Sequence, residues 1–465
     1  KNVRYQLAAA YSQPSSLREN TRITNLETQV NALEKYLANT IVDLNEALGQ
    51  FGWQEVQAAL RPDEAALEFV HFNYYSPGPT DSVMYAALLL RPGMEHPLFI
   101  PLFEEKSLAA MLPPFEKNRS EYINKLYEDD APAKLIWSPL DPHLHGVKTI
   151  YSAYSGLLHR LNLVALSAPG KHTNRTEAIN NRYNLVILNS TRQLVLKNRT
   201  ERQAVSGAAL FGAIQYELDS TAIPATHPDE NANRGVSFAE TDSILRDDTW
   251  RYLKHSEQET ANIAALLQKA GIAASIKTGY DATEEDFKKL GNGAPAPRLL
   301  HISTHGYFFP DPVADPQSIG PAVKLSDHPM IRSGLILAGA NHAWKTGRPF
   351  GNREDGILTA YEISQLDLRN TELVVLSACE TGLGHIEGNE GVYGLQRAFK
   401  IAGAKTLVMS LWQVPDYQTQ ELMTAFYQKW LLGKMPVRQA LQAAQKEMRD
   451  KGYEPFYWAG FVVVE

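Results

Sequence analysis

The chain has 465 residues, 44% of them hydrophobic and 21% charged, so it is long enough for several domains and apolar enough to give each a core. With 45 basic and 52 acidic side chains and a net charge of −7, it lacks the basic bias of a nucleic-acid binder or of a protein drawn to anionic membranes. A single cysteine, Cys379, excludes an internal disulfide framework, a CxxC redox pair and a thiolate zinc site, and leaves either an inert buried thiol or a nucleophile.

Ile23, Leu26, Val30, Leu33, Leu37, Ile41 and Leu44 fall at spacings of three and four and predict one amphipathic helix. A second helix is expected over 53–60, stopped by Pro62. Strand patterns follow at 66–72, 83–90, 97–101, 135–137, 147–151, 161–165 and 183–188, with helical stretches near 107–112 and 120–127. Residues 206–216 read as a buried strand. A surface loop at 224–235 and a helix at 255–270 stopped by Gly271 come next, then a strand at 273–278. The helix expected at 283–290 carries Glu284, Glu285 and Asp286 in its first turn, which suits the helix dipole. A strand at 298–304 precedes a long Gly- and Pro-containing insertion over 308–352. Beyond it lie a buried strand at 371–378, a helix at 391–402 stopped by Gly403, a strand at 405–411, helices at 416–432 and 436–451, and a strand at 461–464. Alternating strands and helices predict an α/β fold, a mostly parallel sheet with helices on both faces. The expected divisions are a helical lead-in at 1–60, an accessory α/β region at 61–205 and a main domain at 206–465. No run of about 18 apolar residues is present, so no bilayer-spanning helix is expected. Residues 1–5 lack the anatomy of a signal peptide, and with the lone thiol a cytoplasmic location is the expectation.

Sites in parallel sheets form outside the carboxyl ends of the strands. Two such ends carry chemistry here: His305-Gly306 after the strand at 298–304, and Cys379-Glu380 after the strand at 371–378. If those strands are neighbours, imidazole and thiol meet at one edge. An unassisted cysteine is only a few per cent thiolate at neutral pH, and a nearby imidazole can take its proton. The backbone N–H groups of Gly306 and Cys379 could hold a developing oxyanion. The bland alternative is a small buried thiol and a structural histidine.

Several segments resemble, in order, the motifs of CHAT domains, the caspase-like cysteine peptidases often fused to tetratricopeptide repeats. They are 150–163, the histidine motif 301–306, the stretch 355–369, the nucleophile motif 376–384, then 390–399, 402–405, 410–416 and 457–461, spanning about 150–465. The resemblance implies a caspase-like fold, preceded by an accessory, pseudo-caspase-like α/β layer and N-terminal helices, and endopeptidase activity on proteins. Matched residue by residue, Cys379 is the nucleophile, His305 the base and Gly306 the oxyanion glycine. The resemblance further implies a protein substrate cut at a specific site, such as a gasdermin-like pore former or another defence effector. No cofactor is implied, nor a nucleic-acid or membrane partner. The stripe at 23–44 would be the last remnant of an upstream repeat or regulatory region.

Asp416 lies where separases carry acidic residues after a Leu-Trp pair, so it either selects Lys or Arg before the cut or caps the helix that follows. Glu380, Asp355 and His301 are candidates to line the groove or orient His305. Residues 382–388 loosely imitate a dinucleotide loop, but Glu387 and Glu390 stand where phosphates would need positive charge. No HExxH, cysteine cluster or EF-hand loop indicates a metal site.

Overall fold

The computed structural model describes residues 21–26, 28–29, 51–112, 119–167, 179, 182–197, 207–218, 249–308, 329–347, 349–351, 353–378, 385–386 and 392–465. Up to residue 203 the elements are α1 (Trp53–Ala58), β1 (Glu64–Tyr75), β2 (Pro79–Leu90), β3 (Leu98–Glu104), α2 (Glu105–Ala109), α3 (Arg119–Glu128), α4 (Ala131–Trp137), β4 (Thr149–Ala153), β5 (Asn184–Leu188) and α5 (Gln193–Lys197). Then come β6 (Gly207–Ile214), α6 (Lys254–Lys269), β7 (Ala273–Gly279), α7 (Glu284–Lys288), β8 (Leu299–Thr304), β9 (Gly306–Phe308), β10 (Ser333–Ile336), α8 (Ala340–Thr346), β11 (Ile357–Thr359), α9 (Ala360–Ile363) and β12 (Leu373–Ala378). The chain ends with β13 (His385–Ile386), β14 (Val392–Tyr393), α10 (Leu395–Ile401), β15 (Thr406–Ser410), α11 (Asp416–Tyr427), α12 (Val437–Asp450), α13 (Pro455–Trp458) and β16 (Phe461–Val464).

These elements form two compact units. One comprises Gln50–Gln203, Ile386–Val392 and Val408–Glu465; the other comprises Lys1–Gly49, Ala204–His385 and Tyr393–Leu407. In the unit that starts at Gln50 the strand order is β3-β2-β1-β4-β5-β16-β15. β1, β2 and β3 are antiparallel, whereas β1, β4, β5 and β16 run parallel. Val56, Leu60, Ala66, Leu90, Val186, Leu188 and Leu194 pack into one of its cores. The apolar side chains along β1 and β5 therefore do the work that the strand pattern predicts.

In the other unit β12, β8, β6 and β7 lie side by side in that order, all parallel. Every residue of β8 and β12 is buried; β12 accordingly opens on a continuous apolar run, Leu373 to Leu376, while β8 also buries the polar His301, Ser303 and Thr304. Helix α6 crosses from β6 to β7 and buries Ile263, Leu266 and Leu267, one face at helical spacing. β6 has β7 on one side and β8 on the other, so the winding reverses between β6 and β8. A crevice outside the carboxyl ends is expected at that point. A small antiparallel sheet, β11-β10-β9, continues directly from the end of β8.

Two expected strands are something else. Residues 135–137 are the end of α4, whose first turn holds Pro132 and whose inner face buries Ile136 and Trp137. Residues 161–165 form a turn built on buried Asn162. Its side-chain oxygen accepts from Val164 N–H (3.2 Å), and its amide donates to the carbonyls of Ala459 (2.9 Å) and Phe461 (3.1 Å). The helix expected over 416–432 is α-helical to Tyr427 and widens into a π-turn over Gln428–Leu432. Of the stripe at 23–44, the described part is helical and buries Ile23 and Leu26; its remainder and the loop at 224–235 lie outside the described residues. Among the described residues no helix is long and apolar enough to cross a membrane.

Candidate active site

The reversal point between β6 and β8 carries the chemistry. Thr304 ends β8, and His305 follows at the carboxyl edge. Tyr216, just past β6, hydrogen-bonds Thr304 Oγ1 through its hydroxyl at 3.0 Å and sets its ring beside His305, centroids 5.0 Å apart. Trp250 flanks the imidazole as well, at 5.1 Å, and meets Trp344 of α8 edge-on at 4.9 Å. The His305 carbonyl accepts from Ile336 N–H at 2.9 Å, which ties its backbone to the end of β10. The half-buried ring is thus fixed from its backbone and by two aromatic neighbours.

His305 Nε2 lies 2.8 Å from the carbonyl oxygen of Arg251. A carbonyl only accepts, so Nε2 carries the proton and Nδ1 keeps its lone pair. Burial lowers the pKa of His305, and the Arg251 carbonyl partly offsets this. A neutral imidazole with one nitrogen tied down and the other unprotonated is the state a general base needs near neutral pH. Gly306 opens β9, half-exposed, opposite Leu335 of β10. Cys379 and Glu380 lie outside the described residues, as do 382–384 and 387–388 of the dinucleotide-like stretch and Glu390 after it. Ala378, the residue before Cys379, pairs in register with Thr304, the residue before His305.

The other candidates fall elsewhere. His301, four residues back along β8, is fully buried with Nε2 3.1 Å from Glu259 Oε1 of α6. Asp416 is the first residue of α11, half-buried, and Pro415 occupies the cap position. Asp355 is buried among other carboxylates, with Oδ1 accepting from Ile357 N–H at 2.8 Å. Burial, then the charge of Glu362, pushes its pKa up to about 7. In that group the Lys288 ammonium lies 2.6 Å from Glu284, 3.1 Å from Glu354 and 2.8 Å from Glu362. Oxygens of these three glutamates come within 4.8 Å of one another, close enough to bind a cation, and the ammonium stands among them. Glu362 also closes a capping box: its Oε2 accepts from the N–H (2.9 Å) and hydroxyl (2.8 Å) of Thr359.

Tyr216, Trp250 and Arg251 are functional neighbours that sequence reasoning missed. Tyr216 was accessible in principle, because it ends the strand at the winding reversal. Arg251 acts through a backbone carbonyl, which no side-chain pattern can announce.

Comparison with known proteins agrees with the motif order. Tetratricopeptide repeat protein 28 of Mus musculus and of Homo sapiens are each 34% identical to this chain over 110 residues, 23% of the chain. The chain spans about 4% of the length of those relatives. Among solved structures, the Saccharomyces cerevisiae separase–securin complex aligns over 89% of this chain and 30% of that one, with 10% identity and a TM-score of 0.46. The Arg-specific cysteine proteinase gingipain R aligns over 77% of this chain and 68% of its own, with 10% identity and a TM-score of 0.35. The family model described as the CHAT domain matches residues 131–465, most of the length, and so this chain belongs to the CHAT domain family.

Proposed function

We propose that the chain is a cysteine endopeptidase that cuts a protein partner through Cys379 and His305. The observation that carries this reading is the register Ala378↔Thr304. Two parallel neighbouring strands end on the same row, and the next residue in sequence is Cys379 on one and His305 on the other. The fixed tautomer adds to it, since Nδ1 is the nitrogen left to take a proton.

In the proposed cycle, Nδ1 takes the thiol proton and the thiolate adds to the scissile carbonyl, whose oxyanion is held by backbone N–H groups including that of Gly306. The C–N bond breaks as the imidazolium returns its proton to the leaving amine. Water, deprotonated by His305, then hydrolyses the thioester. The proposed substrate is a single protein activated by one cut.

Because Cys379 is the chain's one cysteine, alkylation by iodoacetamide can be followed by whole-chain mass alone. At pH 6 to 7 the thiol is expected to react about tenfold faster than a free thiol, given its few per cent thiolate at neutral pH, and to lose that advantage in His305→Ala. Reaction that tracks an ordinary thiol titration, unchanged in His305→Ala, would instead identify a non-catalytic interaction module with a structural cysteine.

A further inference from the structure

The Arg251 carbonyl sets the His305 tautomer, yet it sits in an irregular segment, 249–253, that has neither helix nor strand to hold it. One side chain does this instead. Asn341, fully buried at the start of α8, accepts from Trp250 N–H through Oδ1 at 2.9 Å and donates from Nδ2 to the Trp250 carbonyl at 2.9 Å. A single carboxamide thus satisfies both backbone groups of the residue before Arg251, as a neighbouring strand would. Its second amide hydrogen goes to Glu217 Oε1 at 2.9 Å, and its backbone N–H goes to the Tyr216 carbonyl at 3.0 Å. The turn into α8 is anchored to the same strand end, for Gly339, at φ +78°, donates to the Gln215 carbonyl at 3.0 Å. One turn further along α8, Trp344 packs on the Trp250 ring, so α8 grips both the backbone and the side chain of Trp250.

We infer that Asn341 is a positioning residue for the general base: it clamps Trp250, which presents the Arg251 carbonyl to His305 Nε2 and leaves Nδ1 free. This rests on the reading of His305 as the base of a cysteine peptidase. Buried polar networks of this kind are costly when half-satisfied, so losing the carboxamide releases the whole segment rather than one bond. Ile336 N–H at the end of β10 would still hold the His305 carbonyl, and the Tyr216 hydroxyl the side chain of Thr304, so the expected effect is on ring orientation and tautomer rather than on the strand.

The test uses Asn341→Leu, which keeps the side-chain shape and removes both polar atoms, and Asn341→Asp, which keeps the acceptor but not the donor to the Trp250 carbonyl. Nitrogen-15 shifts of His305, assigned by their disappearance in His305→Ala, report the tautomer. Alkylation of Cys379 reports the consequence. The wild type is expected to show Nε2–H. Asn341→Leu is expected to show mixed tautomers and about tenfold slower alkylation at pH 7, with Asn341→Asp in between. Retention of the Nε2–H signal and of the alkylation rate in a folded Asn341→Leu, or in Asn341→Asp if Leu does not fold, would overturn the proposal. Should the wild-type thiol react as an ordinary one, the peptidase reading fails, while the tautomer measurement still decides the role of Asn341.

Discussion

Burial acts on Asp355 and on His159 in opposite senses. Asp355 is raised to about 7, so between roughly pH 4 and 7 the native chain holds a proton that the unfolded chain has lost. Its contribution to stability therefore falls as pH rises through that window, by up to roughly 4 kcal/mol. His159 is half-buried and its pKa is lowered to about 4, first by burial, with the Tyr154 carbonyl opposing and the neighbouring His71 lowering it further. Between pH 4 and 6.5 the unfolded chain carries the proton instead, and stability falls as pH drops, by up to about 3 kcal/mol. The two slopes oppose each other below pH 6.5. Asp355→Asn is expected to melt higher than wild type at pH 8 and to lose stability more steeply on acidification; His159→Phe is expected to show the reverse acid slope. Thermal unfolding from pH 4.5 to 8.5 checks both, and an Asp355→Asn that melts lower than wild type at pH 8 would contradict the assignment. At this scale the sequence was informative where chemistry is written in side chains, as at His305 with its following glycine. It was silent where a backbone carbonyl or a buried amide does the positioning, as at Arg251 and Asn341.

The turn after α10 shows how an element's end is enforced. Gly403 has φ +104°, and a Cβ there would stand 2.7 Å from Arg369 Cγ and 3.0 Å from its Cα. Gly452, after α12, has φ +90° but nothing within 4 Å of the same position. Gly452→Ala therefore pays only the left-handed penalty, about 1 kcal/mol, whereas Gly403→Ala adds a clash with backbone and should cost about 3 kcal/mol or more. Urea unfolding of the two variants measures the difference; equal losses would show that Arg369 yields. Gly403 was identifiable as a stop because it follows an apolar helical pattern. The strand β12 was identifiable because burial on both faces leaves an apolar run from Leu373 to Leu376. Short apolar triplets such as Leu135–Trp137 carry no period, so only Pro132 distinguished helix from strand there. The elements β10 and α8 were hidden by the Gly- and Pro-containing insertion, although Ser333–Ile336 is buried throughout.

The unit that begins at Gln50 is closed by the last strand of the chain. β16 pairs with β5 at Val464↔Ile187, Glu465 N–H donates to the Ile187 carbonyl at 2.9 Å, and Arg438 meets the Glu465 carboxylate at 2.6 Å. The Phe461 carbonyl also accepts from the side chains of Asn162 and Gln445, at 3.1 and 2.8 Å. Deleting Phe461–Glu465 is expected to leave these buried donors unpaired and to open trypsin sites within 50–203 first. A digestion pattern identical to that of the full chain would show that β16 is dispensable. An alternating α/β pattern reveals such strands one at a time, but not that the last belongs with the first, because a pairing between residues 187 and 464 leaves no mark in either segment alone.

That closure also orders events in time. During synthesis the neighbouring strands β12, β8, β6 and β7 are all available once residue 378 has emerged, and the contacts among them span modest stretches of chain. The strands that start at Glu64 must wait for Phe461–Val464, about 400 residues further along the chain, with the parallel edge at β5 uncovered in the meantime. Strands β1 to β5 are thus made before β6, β7, β8 and β12 and finished after them. Emergence of Phe461–Val464, rather than of the base-bearing strand, is the step that completes that pairing.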